Sequence, residues 1–528
     1  MIKGYWIPIL HSHLPFVKHP EYDNFLEEHW LFEAITECYI PLLSRLKKLE
    51  NEGVEFRLTT SITPPLAEML DDAHLMGKYT KFLERQIELG EKEIARTAQE
   101  DPHFHNNALF YYHFFKETKA FFDTVLHGNV LNGYRYFYNK GSLEVITCGA
   151  THGFLPLLCV NEKAVEVQIE VAIKAHQKHF HRNPKGIWLP ECAYYDGLDR
   201  ILKNNGLEFF IVDSHALVYA TPTALNGVYT PVYTPHGVAA FGRDGESSKQ
   251  VWSSKEGYPG DVDYRDFYRD IGYDLDYDYI KDYINPDGPR VFTGYKYHRI
   301  TGNSDYKEAY DPFIASCRTQ DHARDFHFNR EKQIEHLSRY MDRTPMVVSP
   351  YDAELFGHWW FEGPEFLYNL FKEIDKHKVI KAITPLEYLT MYPTNQVVNP
   401  NPSSWGDQGY YDVWLNEGNS WIYRHLHEMA DRMGEYAYTY RDTHDGNKVR
   451  LLNQMLRELL LAQSSDWAFL VTTATAAPYS INRTKEHIFN FNQLTNMLNT
   501  NTIDGERLAY LEEKNSIFNF IDYKIFLH

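Results

Sequence analysis

Gly186-Ile187-Trp188-Leu189-Pro190-Glu191-Cys192-Ala193-Tyr194 is a short apolar run that stops on a carboxylate, with Trp188 before it and Tyr194 after it. That is the composition of the C-terminal mouth of a barrel strand: the core buries the strand and the acid at its end is left facing a cleft. Met346-Val347-Val348-Ser349-Pro350-Tyr351-Asp352 repeats the construction and is followed by Phe356, Trp359 and Trp360. A single strand-end acid is more often a helix cap or an ion-pair partner. Two of them, each among aromatics, point to sugar chemistry, because aromatic faces stack on pyranose rings and paired carboxylates act on glycosidic bonds. Glu191 and Asp352 are the catalytic candidates.

Working outward, Tyr5 to Leu10 reads as the first strand and delivers His11-Ser12-His13. A period of two turns both histidines to the same side. They face a pocket together and bind sugar hydroxyls, or serve structural hydrogen bonds, or ligate a metal such as zinc, although no third ligand stands nearby in the sequence. Trp30 opens a helix whose apolar positions follow the 3.6-residue period. Further strands are expected at Phe56–Ser61, Leu143–Cys148, Phe209–Asp213 and Lys381–Pro385, the second of them leading to a third strand-end histidine, His152. Strands alternating with helices predict an α/β fold. The stretch 75–138 lacks a strand and reads as a helical insertion. Tyr229–Tyr273 is rich in Gly, Pro and Tyr and reads as one long loop, functional or disordered, in which Tyr264 to Asp270, with Arg265 and Arg269, forms a hydrogen-bonding lip or a solvated helix. A polar linker, Tyr392–Ser404, precedes a helical segment that begins with Trp405 and Trp414. The expected organisation is a barrel from 1–74 and 139–395, the insertion 75–138, and C-terminal helices 404–528.

The 528 residues exceed what one core usually serves. Against 53 Lys and Arg stand 72 Asp and Glu, a net charge of −19, which argues against a polyanionic partner, so no nucleic acid is expected. Five cysteines without a CxxC pair suit a reducing compartment. The apolar start is too short for a signal peptide, and no run of 18 uncharged apolar residues occurs anywhere. The expectation is a cytoplasmic protein with no membrane partner.

Five motifs in order, His11-Ser12-His13-Leu14-Pro15, Gly149-Ala150-Thr151-His152-Gly153-Phe154, Trp188-Leu189-Pro190-Glu191-Cys192, Tyr351-Asp352-Ala353-Glu354-Leu355-Phe356-Gly357-His358-Trp359 and the Trp405 to Trp414 segment, closely resemble glycoside hydrolase family 57 over essentially the whole chain. Within it they resemble the branching-enzyme and AmyC-type α-amylase group. The resemblance implies an incomplete (β/α)7 barrel with an inserted helical domain and a C-terminal α-helical domain, shaping an α-glucan cleft. It implies Glu191 as nucleophile and Asp352 as acid/base of a retaining mechanism, with no metal or other cofactor. His11, His13 and His152 match sugar binders, Arg269, Trp405 and Asp466 match substrate-binding positions, and Trp30 and Trp414 match stacking platforms. Trp359, beside the acid, joins the substrate-binding set.

In such a mechanism Asp352 holds a proton, and its carboxyl should lie about 5 to 5.5 Å from that of Glu191. Interception of the glycosyl-enzyme by a glucan 6-hydroxyl gives branching, by water α-amylase activity, by a 4-hydroxyl 4-α-glucan transfer. Branching members carry a tyrosine at a loop tip, and here Tyr233 or His236 is the candidate within Tyr229–Gly242.

Overall fold

The computed structural model describes residues 2–253, 256–284 and 289–527; Met1, His528 and Ser254 of the expected loop lie outside that set. Its strands are β1 (Gly4–Ser12), β2 (Leu58–Ile62), β3 (Leu143–Ile146), β4 (Gly186–Ile187), β5 (Phe209–Val212), β6 (Val232–Tyr233), β7 (Ala239–Gly242), β8 (Met346–Asp352) and β9 (Ile380–Ala382).

Parallel ladders join β8 to β1, β1 to β2, β2 to β3, β4 to β5 and β5 to β7. A parallel bridge, Thr147 to Ile187, carries β3 on to β4. Between β7 and β8 no ladder forms among the described residues, and the Asp244 amide donating to the Val348 carbonyl (2.9 Å) closes the ring. The result is an incomplete barrel of seven parallel strands, β1-β2-β3-β4-β5-β7-β8, as the resemblance implied. β9 pairs only with Gly4–Trp6 of β1.

Strict alternation sorts the side chains. Ile7, Ile9, Phe209, Ile211, Met346 and Val348 fill the barrel interior, whereas Trp6, Leu10, Phe210, Val212 and Val347 pack outward against the helices. Both faces are buried, which is why these strands read as continuous apolar runs. The inner set continues upward: after Ile9 comes His11, after Val348 and Pro350 comes Asp352, and His11 and Asp352 are paired in register. The core pattern itself therefore delivers polar groups to the mouth.

Strand polarity corrects the reading of Tyr229–Tyr273 as one loop. It contains the antiparallel hairpin β6–β7 and the helix Gly245–Trp252. The hairpin turn, Thr234–Gly237, precedes β7 and so lies at the N-terminal end of the barrel, opposite Glu191. Gly237 (φ 81°) makes the turn possible. His236 there is held by Asp199 (2.9 Å), and Tyr233 pairs with Ala239. Neither candidate for the tip residue is at the catalytic mouth.

The helices Ala73–Glu100, His105–Thr124 and Leu131–Lys140 lie between β2 and β3, and the first two are bound to a later segment by Tyr295, Tyr297 and Tyr111, whose hydroxyls donate to Gln86, Glu93 and Lys296. The linker climbs the barrel wall, bridging Val397 to Tyr233, Asn399 to Thr221 and Ser403 to Tyr194, and reaches the mouth at Trp405. Among the described residues five α-helices follow, from Trp421–Thr439 to Gly505–Lys514. Ser464 and Ser465 dock this bundle on the loop after β3, through a bridge from Ser464 to Gly153 and a hydrogen bond that the Ser465 amide donates to the His152 carbonyl (3.0 Å).

Candidate active site

Glu191 stands just past β4 on strained backbone: Glu191 (φ 61°) and Cys192 (φ 51°) are both left-handed, a conformation side chains other than glycine rarely adopt. The surroundings hold it there. The Trp405 amide donates to the Glu191 carbonyl (3.0 Å), the Trp405 indole donates to Oε2 (2.8 Å), and the Ser465 hydroxyl donates to Oε1 (3.0 Å). Both carboxylate oxygens are thus gripped by residues more than 200 positions away, and the strain fixes their direction.

The histidines form one array. The His11 ring lies flat on Trp188 (4.5 Å between centroids, 5°), and its Nε2 meets His152 Nε2 at 3.0 Å. His152 stacks on His13 (3.9 Å, 14°) and places Nδ1 at 2.8 Å from Ser465 Oγ. His13 Nε2 faces both oxygens of Asp466 at 3.0 Å, and its amide donates to Glu354 (3.1 Å).

Burial dominates the electrostatics. It lifts Glu191 to about 7; the Trp405 and Ser465 hydrogen bonds oppose the rise, while Asp466 and Asp352 add to it. Asp352 is open to the cleft yet ringed by protein, and desolvation lifts it to about 6 against the pull of His13 and Arg243. The charge of Asp352 reaches the Glu191 carboxyl. Burial also holds His11 and His152 neutral, with the neighbouring imidazoles adding to the effect. For His13 burial acts downward, but Asp466 outweighs it and the imidazole pKa is raised. Burial opposes ionisation of Asp466 in the same way, and His13 brings it down to about 2.

The His13–Asp466 pair therefore has a pH window. Asp466, depressed below its unfolded value, contributes stability above about pH 4 that is lost as pH falls toward 2; His13, raised, contributes below about pH 6.5 that is lost once pH passes its folded value. Asp466→Asn should lower the melting temperature most near pH 5 to 6, and thermal unfolding of both proteins across pH checks it.

A sequence model described as Glycosyl hydrolase family 57 matches residues 7–328. The chain belongs to this family. A second model, described as 1,4-alpha-glucan branching enzyme, C-terminal, matches residues 425–526. This family 57 chain is 32% identical to the 1,4-alpha-glucan branching enzyme TK1436 of Thermococcus kodakarensis, covering 98% of the chain and 78% of the relative. Among solved structures it matches the alpha-amylase AmyC of Thermotoga maritima with a TM-score of 0.94 and 48% identity, over 99% of each chain. It also matches the GH57-type branching enzyme of Pyrococcus horikoshii with a TM-score of 0.89 and 34% identity, over 99% of this chain and 97% of that one.

In this family 57 chain the expected site residues do not all converge. His11, His13, His152, Glu191, Trp405 and Asp466 form one bonded cluster, and Asp352 lies beside His11 in the sheet. Trp359 is 55% exposed and rests one face on Phe267 (4.3 Å, 23°). Trp30 is half-buried, edge-on to Tyr479 of the C-terminal helices (5.8 Å). Trp414 is corrected: it is 1% exposed and stacked on Phe154 (4.5 Å), so protein covers the faces a sugar would need. Arg269 pairs with Asp274 (3.1 Å), and the arginine that acts on Asp352 is Arg243, bound to Asp213 (3.2 Å). Arg243 follows β7 as Glu191 follows β4, a signal present in Ala239-Ala240-Phe241-Gly242-Arg243. Glu354, Ser61 and Ser465 were also passed over. Glu354 is lifted to about 7, by burial above all, and accepts from the Tyr39 hydroxyl (2.5 Å).

Two donor groups, His11 with Cys148 and His152, and His13 with His152 and Asp466, each lie within 4.8 Å. Neither fits a metal. Burial pushes the Cys148 thiol far up, away from the thiolate a metal needs, and the near-parallel rings of His13 and His152 direct their in-plane lone pairs side by side rather than to one point.

Gly357 (φ 123°) turns the loop between Asp352 and Trp359; a Cβ there would lie 1.8 Å from the Glu37 carbonyl oxygen. Gly357→Ala should cost about 2 kcal/mol or more and raise KM by displacing Trp359, read by calorimetry and by kinetics on an α-glucan.

Proposed function

We propose that this chain is a retaining 1,4-α-glucan branching enzyme, in which Asp352 protonates the glycosidic oxygen while Glu191 attacks C1, and a glucan 6-hydroxyl then takes the glycosyl group. The observation that carries the two-carboxylate chemistry is Glu191 itself: a strand-end acid on strained backbone, both oxygens held, and near enough to a second strand-end acid, Asp352, for its charge to be felt. His11, His13, His152, Asp466, Trp405, Trp359 and Trp30 are proposed to line the sugar subsites. Support for branching comes from the C-terminal match and from the branching-enzyme relatives, whose substrate by name is a 1,4-α-glucan. The domain bounds 1–74 with 139–395, 75–138 and 404–528, and a cytoplasmic location, belong to the same proposal. The five cysteines are free, and no helix among the described residues is long and apolar enough to cross a membrane.

A second reading, α-amylase, is favoured by the higher identity to AmyC and by the placement of Tyr233 and His236 away from the mouth. Incubation with amylose, with and without chelator, separates them: new α-1,6 anomeric protons with few reducing ends mean branching, reducing ends alone mean hydrolysis. A redistribution of chain lengths with neither would mean 4-α-glucan transfer, which breaks one α-1,4 bond for each one it forms.

A further inference from the structure

Four hydrogen bonds run in line from the barrel wall to Glu191. Ser61 Oγ, on the inner face of β2, meets His11 Nδ1 (3.2 Å); His11 Nε2 meets His152 Nε2 (3.0 Å); His152 Nδ1 meets Ser465 Oγ (2.8 Å); Ser465 Oγ meets Glu191 Oε1 (3.0 Å). Ser61, His11, His152 and Ser465 are all buried. Two hydroxyls and two neutral imidazoles carry one mobile proton each, so the chain has only two self-consistent arrangements.

With Glu191 ionised, its oxygen only accepts. Ser465 then donates to it and must receive from His152 Nδ1–H. His152 Nε2 becomes the acceptor for His11 Nε2–H, and His11 Nδ1 accepts from Ser61. With Glu191 protonated and donating, every bond reverses. The Ser61 proton must then turn away from His11, and among the described residues its hydroxyl has no other bonding partner. A buried donor without an acceptor costs free energy, so the wall end of the chain favours the first arrangement.

We propose that Ser61 and Ser465 are positioning residues that set the direction of this chain and so keep the single proton of the carboxyl pair on Asp352, leaving Glu191 ionised for attack. The proposal rests on the two-carboxylate reading above. It answers a difficulty in the site: burial raises Glu191 at least as far as Asp352, which by itself leaves the proton on the wrong acid. The Trp405 indole also favours the anion, yet with that bond in place Glu191 still stands at about 7, and the charged and titratable groups facing it do not resolve the difficulty. Asp466 repels its charge but is matched by His13, Asp352 repels it, and Cys148, Cys192 and the Tyr423 phenol all stay protonated.

The test reads the tautomers directly. In full-length protein labelled with ¹⁵N-histidine, long-range ¹H–¹⁵N spectra at pH 8, assigned with His11→Gln and His152→Gln, should show His11 protonated at Nε2 and His152 at Nδ1. Either ring on its other nitrogen, or doubly protonated, overturns the proposal whatever the protein does to glucans. In Ser61→Ala the His152 signal should become a mixture, and the acid limb of kcat/KM on amylose should move up by about half to one pH unit, a loss of about three- to tenfold on that limb. Ser61→Thr, which keeps the hydroxyl, should restore the limb; a wild-type limb in Ser61→Ala overturns the role of Ser61. Wild-type protein with the expected tautomers but no action on α-glucans sinks the glucan reading and leaves the chain direction standing.

Discussion

Glu191→Gln should abolish turnover on amylose, by roughly 10⁴-fold or more, while leaving glucan binding within a few fold. The amide keeps the shape of the carboxylate; its one carbonyl oxygen can accept from the Trp405 indole while its NH2 donates to the Ser465 hydroxyl oxygen, but it cannot form the glycosyl-enzyme. The same substitution should stabilise the fold in alkaline solution. Glu191 has a folded pKa of about 7, above its unfolded value, because burial penalises the anion. The sign follows: that penalty is absent below about pH 4.5, grows as pH rises between the unfolded and folded values, and is complete above about 7. Melting curves of parent and variant should coincide near pH 4 and separate above pH 7 with the variant the more stable. A variant no more stable than the parent at pH 8 would show that the carboxylate is better solvated than its burial implies. Asp352→Asn should lose about 10²- to 10⁴-fold, with much of the loss recovered on a glycoside whose leaving group needs no protonation.

The second large effect lies outside the chemistry. Arg265 and Glu37 form a buried ion pair (2.8 Å, side chains 1% and 6% exposed), with Glu37 also bound to His358 (2.8 Å) and the guanidinium set over Phe361 (4.2 Å). Burial opposes the Glu37 charge, yet Arg265 and His358 hold its carboxyl well below the usual range. Glu37→Ala leaves an arginine charge in the interior and should cost about 3–5 kcal/mol. Glu37→Leu combined with Arg265→Met should cost less than Glu37→Ala alone, since no charge is then stranded. Denaturation of the variants decides this, and a double variant that is worse than either single change would place the value of the pair in packing instead. KM should rise as well, because His358 anchors the loop that presents Trp359.

What the sequence made legible follows from distance along the chain. The strands bearing His11, Glu191 and Asp352 were readable because an apolar run and the polar residue it delivers are neighbours, and the period of two that fills the core is the one that aims His11 and Asp352. The β6–β7 hairpin was misplaced because its residues state a turn but not which end of the barrel the turn occupies; that depends on β7 lying parallel to β5. Trp414 was misread because a tryptophan in the sequence has the same hydrophobicity on a cleft floor or in a core, and only Phe154 against its ring decides. Ser61 and Ser465 carried no local signal. A serine acquires its meaning at this site from His11 and His152, which come from other strands.

The linker that climbs from Val397 to Trp405 sets an order of assembly. Both groups that bind the Glu191 carboxylate, the Trp405 indole and the Ser465 hydroxyl, come after it, in the last quarter of the chain. The last barrel strand, β8, ends at Asp352, and even β9 ends more than 80 residues before Ser465 in the chain. Until the C-terminal helices dock, Glu191 lacks both donors that hold its carboxylate, so the barrel by itself does not contain the finished site.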